Sequence, residues 1–365
     1  MTAPGAAPPA EADRNGPSWN GKRRLLDRDL RALLGESLDP RRILCDEPLA
    51  PLTTLRVGGC ADWFLDCRSA PEVAAAVRAA RALGLPVTLL GGGSNVLVGD
   101  AGVRGLVARF RRGEIVESSP GLVRAAAGVT INGLVRWTVN RGYAGLETWA
   151  GTPGTVGGAV CGNAHFRGRL IGERVAAAVL LRPDGGMHRV ARDRMGFGYD
   201  RSRVQETGEV VLSAEFPVET GPAAVLRAEA RASLRFRKRT QPLDAPSAGC
   251  VFRNPDPELQ RLPAGIPCAA GALIDGAGLK GCTVGGARVS PVHANFIVTD
   301  PGARARDVRV LIERCRAAVA EKYAVTLAPE VVFVGEFDAS PRLEERTAAA
   351  CPHSWSKAAT DSAGR

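Results

Sequence analysis

Residues 151–163 read Gly-Thr-Pro-Gly-Thr-Val-Gly-Gly-Ala-Val-Cys-Gly-Asn: five of these thirteen are glycine, one is proline, and none is charged. A surface loop would normally carry charge, and an ordinary strand or helix would not tolerate so many glycines. Two conformations suit such a stretch. One is a tight structural turn between packed strands. The other is close backbone approach, in which successive N–H groups turn inward and wrap an anion such as a pyrophosphate. Pro153 fixes its own φ and pushes Thr152 towards an extended conformation. Thr152 and Thr155 add hydroxyl donors.

A second glycine-rich loop stands earlier in the chain. Ser69 caps a helix opening with Pro71 and Glu72; Val73, Val77, Ala80 and Leu83 recur at helical spacing, and Gly84 stops it. The strand Val87–Leu90 then runs into Gly91-Gly92-Gly93-Ser94-Asn95, which closes a β-α-β unit with the strand before the helix. This is not a Rossmann fingerprint: Val96 stands where a glycine is required, and a strand follows instead of a helix. It is no P-loop either, since no Gly-Lys-Ser/Thr follows.

Short apolar runs broken by glycine and charge predict strands at 103–110, 115–116 and 122–127. More follow at 175–181, 188–190 and 210–216. Thr130 caps a helix to Asn140, with Gly142 as its stop. A long basic helix is expected from Ala223 to Arg239, and further helices over 272–277 and 308–323. Val308, Leu311, Cys315 and Val319 mark the buried stripe of the last. Strands at 295–298 and 331–334 complete an α+β reading in three parts, two glycine-looped and strand-rich and one smaller unit closing over them. A junction between such parts is a common place for a cofactor.

At 365 residues and 45% hydrophobic content, the chain has material for two or three cores. Its net charge of +10 raises nucleic acid as a partner. The basic residues are spread along the chain, however, and aromatic residues make up only 5%, so no stacking platform is expected. A diffuse positive field suits a small anionic substrate equally well. Nine cysteines, an odd number with no Cys-x-x-Cys pair, argue against a disulfide framework and a zinc site; no metal is expected. No export signal or membrane-spanning run is visible, so a cytoplasmic protein is expected.

These residues together resemble the UDP-N-acetylenolpyruvoylglucosamine reductase family, also called UDP-N-acetylmuramate dehydrogenase, in its shorter form. The resemblance covers roughly residues 40–338, in the family's order. It rests on Thr54-x-x-x-Gly58-Gly59, Gly91-Gly92-Gly93-Ser94-Asn95, Gly151-x-Pro153-Gly154-x-x-Gly157-Gly158-Ala159 and Gln241-Pro242. It continues through Ser247-Ala248-Gly249-Cys250-Val251-Phe252-x-Asn254-Pro255, Gly278-Leu279-Lys280-Gly281 and Pro329-Glu330-Val331.

The resemblance implies an FAD-binding fold of the vanillyl-alcohol-oxidase type, built of two α+β subdomains, plus a smaller α/β substrate-binding domain. It divides the chain into a disordered extension (1–24), FAD-binding subdomains (25–107 and 108–220) and a substrate-binding domain (221–328). A C-terminal strand (329–340) then returns Glu330 to the active site, ahead of a disordered tail (341–365). It implies NADPH as cosubstrate, a UDP-sugar substrate, no nucleic-acid partner, no membrane insertion and a monomer. FAD would be held by Gly91, Gly92, Gly93, Ser94 and Asn95 together with Thr152, Pro153, Gly154, Thr155, Gly157 and Gly158.

The implied chemistry is hydride transfer to FAD, then to an enolpyruvyl alkene, with protonation of the neighbouring carbon. The enolate-like intermediate needs donated hydrogen bonds or positive charge on its oxygens and an acid on the side opposite the flavin. By position the acid is Cys250, where many members have serine, and the stabilising carboxyl is Glu330. Val332 stands where the family often has arginine. The family's catalytic arginine lies in Tyr-Arg-x-Ser; here the segment is Tyr199-Asp200-Arg201-Ser202-Arg203, with Asp200 in the arginine slot. A carboxylate there repels an enolate, so Arg201 is expected to supply the guanidinium, with Arg203 as the alternative. Tyr199, Asn254 and Lys238 are expected substrate contacts. Arg237, Lys238 and Arg239 suit phosphates, though the same run also suits a solvated helix end. His165, Arg167 and His293 have no assigned part. Two other readings stay open. One is a different FAD-dependent oxidase or dehydrogenase on the same fold, with FAD linked through His165 or Cys161. The other is a non-catalytic nucleotide-binding paralogue, for which the altered Tyr199–Ser202 segment is the support.

Overall fold

The helical stripe Leu26, Leu30 and Leu34 sets where the ordered chain begins. In the computed structural model, which describes residues 17–337, the first helix runs Pro17–Gly35. Leu30 and Leu34 are fully buried in the largest core, each worth about 1.5–3 kcal/mol of burial. The Trp63 indole N–H donates to Asp27 Oδ1 at 3.1 Å, and Arg31 pairs with Asp27 at 2.9 Å. This corrects the expected disordered extension to residue 24. The Pro-Ser-Trp-Asn-Gly opening, expected to be disordered, is helical. The expected disorder of residues 1–16 and of the tail beyond 341 lies outside the described residues.

The first sheet orders its strands Ile43–Pro48, Cys60–Cys67, Val103–Phe110 and Val87–Leu90; only the first pairs antiparallel. Helix Ala70–Ala82 makes the crossover, capped by Ser69, which accepts from the Glu72 amide. The second sheet is antiparallel throughout: Met187–Ala191, Ala177–Leu181, Val210–Pro217, Leu122–Ala126 and Ile115–Ser119. One core joins both sheets. It also takes Leu226 from helix Ala223–Thr240. That long helix therefore packs with the second sheet, and the boundary of the third unit falls near residue 240 rather than at 220.

The third unit is an antiparallel sheet, Ser247–Cys250, Phe296–Thr299, Ala287–Val289 and Thr283–Val284, covered by helices Ala270–Gly276 and Ala305–Tyr323. Val308, Leu311, Cys315 and Val319 are buried as their spacing predicts. This second core also takes Leu55, Val57 and Leu97 from the first part of the chain. Strand Val332–Val334 then leaves the third unit and pairs in parallel with Val96–Val98, Val332 opposite Val96. That pairing places residue 330 beside the first glycine loop.

Candidate active site

Two glycine-rich loops meet edge to edge. A Cβ at Gly92 would lie 2.7 Å from Gly154 Cα, and one at Gly154 would lie 2.6 Å from Ser94 Oγ. Among the described residues, the amides of Gly92, Gly93 and Ser94 donate to no protein carbonyl. Close approach and unspent N–H groups together fit a diphosphate between the loops. The glycine stretch also contains a short helix, Val156–Cys161, capped by Thr155, which the wrap reading did not anticipate. Its first amides are already used: Val156 donates to Val129 O and Gly157 to Ala127 O, both at 2.8 Å, and Gly158 donates to Thr155 Oγ1 at 3.4 Å. Gly157 instead lets the helix pack tightly, since a Cβ there would sit 2.8 Å from that of Ala127. Gly158 likewise has no spare donor.

Cys250 ends the first strand of the third unit. The next residues are held from both sides: the Phe252 amide donates to Asn295 Oδ1 at 2.9 Å, and Asn295 Nδ2 returns a bond to Phe252 O at 2.8 Å. Glu330 is anchored to the same segment through its amide, which donates to Val251 O at 2.8 Å. Its carbonyl accepts from Asn95 Nδ2 of the glycine loop at 3.2 Å. These bonds tie Glu330 to the segment after Cys250 and to the first glycine loop. Burial pushes the Cys250 thiol up to about 12, reinforced by Glu330 and Asp200. Burial also pushes the Glu330 carboxyl up to about 7, with Asp200 adding to it and His165 and Arg253 opposing.

Asp200 occupies a two-residue turn: Gly198 and Arg201 exchange main-chain hydrogen bonds at 3.0 and 3.2 Å, and Asp200 has φ +50°. Its side chain is buried. Its Oδ1 lies 3.0 Å from His165 Nδ1 and its Oδ2 lies 3.8 Å from Arg253 Nε. One ligand atom each from His165, Asp200 and Glu330 lie within 4.8 Å of one another. The hydrogen bond to Asp200 raises the His165 pKa, against the opposing effect of burial. The Tyr199 ring lies against His165 with centroids 4.9 Å apart, and burial lifts its phenol to about 12.

The arginines fall differently from expectation. Arg201 is 64% exposed and pairs with Glu206 at 2.8 Å; Arg203 pairs with Glu209 at 3.0 Å. Neither turns to the site, because the hairpin directs Asp200 inward. On the long helix Lys238 is exposed, while its neighbour Arg237, about 100° round the helix, is buried. Arg237 Nη2 donates to Thr152 Oγ1 at 2.7 Å, and its guanidinium lies 3.6 Å over the Phe166 ring. Burial lowers its pKa to about 10. Asn254 Oδ1 accepts from the Ala270 amide at 3.0 Å, which fixes the start of a helix. His293 Nδ1 accepts from the Asn295 amide at 3.2 Å, a turn contact inside the third unit. His165 and Arg237 are the inward-facing residues that sequence reasoning left without a site role or placed at phosphates. The signal for His165 was its position just past the glycine stretch.

Residues 61–191 match the family described as "FAD binding domain", and residues 241–334 match "UDP-N-acetylenolpyruvoylglucosamine reductase, C-terminal domain". The UDP-N-acetylenolpyruvoylglucosamine reductase of Synechococcus sp. strain RCC307 is 40% identical over 296 residues, covering 80% of this chain and 94% of its own length. That of Trichormus variabilis is 39% identical over 295 residues, covering 80% and 86%. The crystal structure of UDP-N-acetylenolpyruvylglucosamine reductase from Thermus caldophilus is similar with a TM-score of 0.65 at 33% identity, over 80% of this chain and 98% of that one.

Proposed function

The chain belongs to the UDP-N-acetylenolpyruvoylglucosamine reductase family, and from that premise we propose that it carries hydride from NADPH through FAD to UDP-N-acetylglucosamine enolpyruvate, giving UDP-N-acetylmuramate. It is an oxidoreductase of peptidoglycan precursor synthesis with an FAD-binding domain. The observation that supports the finer reading is the pair of hydrogen bonds that joins Glu330 to the Asn95 side chain and to Val251, the residue after Cys250.

Gly91–Asn95 and Gly151–Thr155 would hold FAD, which would supply the hydride. Cys250 keeps its proton across neutral pH because burial holds the thiol at about 12. It gives that proton to the alkene carbon beside the carboxylate as the hydride reaches the terminal carbon, and regains one from solvent. Both new C–H bonds are then accounted for. Glu330, with its carboxyl at about 7, is partly protonated at neutral pH. In that form it donates to the oxygen that gains charge, as a carboxylic acid kept neutral by its surroundings does. Arg237 braces Thr152 and adds positive charge behind the cradle, which favours an anionic substrate.

An absorbance experiment tests this reading. Flavin absorbance of the purified protein is expected to bleach on adding NADPH and to recover on adding the enolpyruvyl sugar nucleotide. Bleaching without recovery rejects the substrate, and no bleaching rejects NADPH. Yellow colour that stays with denatured protein favours a covalently flavinylated oxidase instead.

A further inference from the structure

We propose that His165, oriented by Asp200, supplies the positive charge and hydrogen bond that the enolate-like intermediate needs, in the place where the resemblance led us to expect an arginine. This rests on the reaction proposed above and assigns a further residue to it.

The expected guanidinium sites are spent elsewhere. Arg201 and Arg203 are held by Glu206 and Glu209, and Arg237 is committed to Thr152 and the Phe166 ring on the cradle side. The slot itself holds a buried carboxylate, Asp200. Alone, that charge would repel a carboxylate-bearing substrate. Its partner is His165, bonded at 3.0 Å through Nδ1. Among the described residues this is the only side-chain hydrogen bond of His165, so Nε2 remains for a ligand. The His165 side chain is 25% exposed while that of Asp200 is 7%: the imidazole stands between the buried carboxylate and the open side. Its ring nitrogen belongs to the cluster that brings Glu330 within 4.8 Å, next to the carboxyl that meets the same oxygens. A carboxylate, an imidazole Nδ1–H and a free Nε2 form the arrangement by which acidic groups orient histidines in other sites. Asp200 is the positioning residue, and His165 the group that touches substrate.

The charged and titratable groups facing His165 are Asp200 and Glu330, which favour its protonated form, and Arg237, which disfavours it; the Tyr199 ring covers one face. Arg253, 3.8 Å from Asp200 Oδ2, adds a second cation to the same carboxylate. A divalent cation on His165, Asp200 and Glu330 is the rival arrangement. The nearby guanidinium of Arg253 works against it.

The test uses the FAD-loaded full chain and two readouts. Histidine NMR is practical with four histidines in the chain. The His165 imidazole is expected to titrate above 6.5, the ordinary value, and to move down in Asp200→Asn. Its signal should also shift on adding UDP-N-acetylmuramate. In rapid mixing, His165→Gln and His165→Ala are expected to lose about 100-fold in flavin reoxidation by the enolpyruvyl substrate, far more than in flavin reduction by NADPH. Glu330 titrates in the same range and also feels Asp200, so the limb is read in Glu330→Gln: there the alkaline limb of reoxidation should follow the imidazole titration and shift with it when Asp200→Asn is added. Added imidazole should restore part of the rate in His165→Ala. Reoxidation at the wild-type rate in both His165 variants overturns the proposal, as does a limb that Asp200→Asn leaves in place. So does loss of activity with EDTA that Mg²⁺ or Mn²⁺ restores. If wild-type protein itself does not reoxidise with this substrate, the proposed function fails first.

Discussion

Cys250 separates the two halves of the proposed reaction. Cys250→Ala is expected to slow flavin reoxidation by the enolpyruvyl substrate by about 10²–10⁴-fold, the usual weight of a positioned acid, while NADPH still bleaches the flavin; stopped-flow absorbance reads both. Cys250→Ser restores a proton at the same position and should recover much of the lost rate. Glu330 makes a different prediction, on stability. Its carboxyl rises from an ordinary 4.5 to about 7 in the folded protein. Between those values the folded state binds more protons than the unfolded one, so stability is full below 4.5 and falls as pH rises through 7. Glu330→Gln should flatten that part of a melting-temperature-against-pH curve. An unchanged slope would show that Glu330 does not titrate there. At this scale the sequence offers candidates where a residue sits in a distinctive segment. Cys250 and Glu330 sit in short recognisable strings. The inward arginine was not legible, because Arg237 and Lys238 are neighbours in sequence and differ only in which side of one helix they occupy.

Among the elements, the closing strand does most to assemble the site. Val332–Val334 pairs with Val96–Val98, and Gly99, at the end of that pair, donates its amide to Val334 O at 2.9 Å. A Cβ on Gly99 would run into the Glu336 carbonyl oxygen, which is main chain and has nowhere to go. Gly99→Ala is therefore expected to cost about 1–3 kcal/mol and to weaken activity by loosening Glu330 from the cradle. Thermal melts and steady-state kinetics check it; a variant of wild-type stability would show that the strand end adjusts freely. Helix and strand positions were largely legible, since periodicity, caps and glycine stops are local. Several elements were not, among them the strands Ile43–Pro48, Ser247–Cys250, Thr283–Val284 and Ala287–Val289. The start of the first helix lacks helical composition, and the six-residue helix after Thr155 is built mostly of small residues. The helix after Thr155 forms because a neighbouring surface receives it: Val156, Ala159 and Val160 are buried.

For the molecule as a whole, three cores divide the described residues: one joins the first two sheets and the long helix, one fills the third unit and reaches back to Leu55, Val57 and Leu97, and a smaller one gathers Leu49, Phe64, Leu90, Val98, Val103 and Val107. Among the described residues no helix is long and apolar enough to cross a membrane. The large apolar side chains left exposed are scattered over many elements, from Leu25 and Leu44 to Met187, Leu259 and Val292. Scattered exposure of this kind is ordinary for a monomer. Light scattering is expected to give the mass of one chain, 38.3 kDa; a dimer mass would contradict it. The sequence by itself determined the two glycine-rich loops, much of the order of elements, and the cysteine and glutamate proposed to carry the chemistry. Each of these depends on residue type at close spacing. Only the tertiary structure decided that Asn95 would meet Glu330 across 235 positions, that Asp200 would take His165 across 35, and that Arg237 rather than Arg201 would turn inward. Those outcomes depend on which faces pack together, and packing is a property of the folded chain rather than of any one stretch.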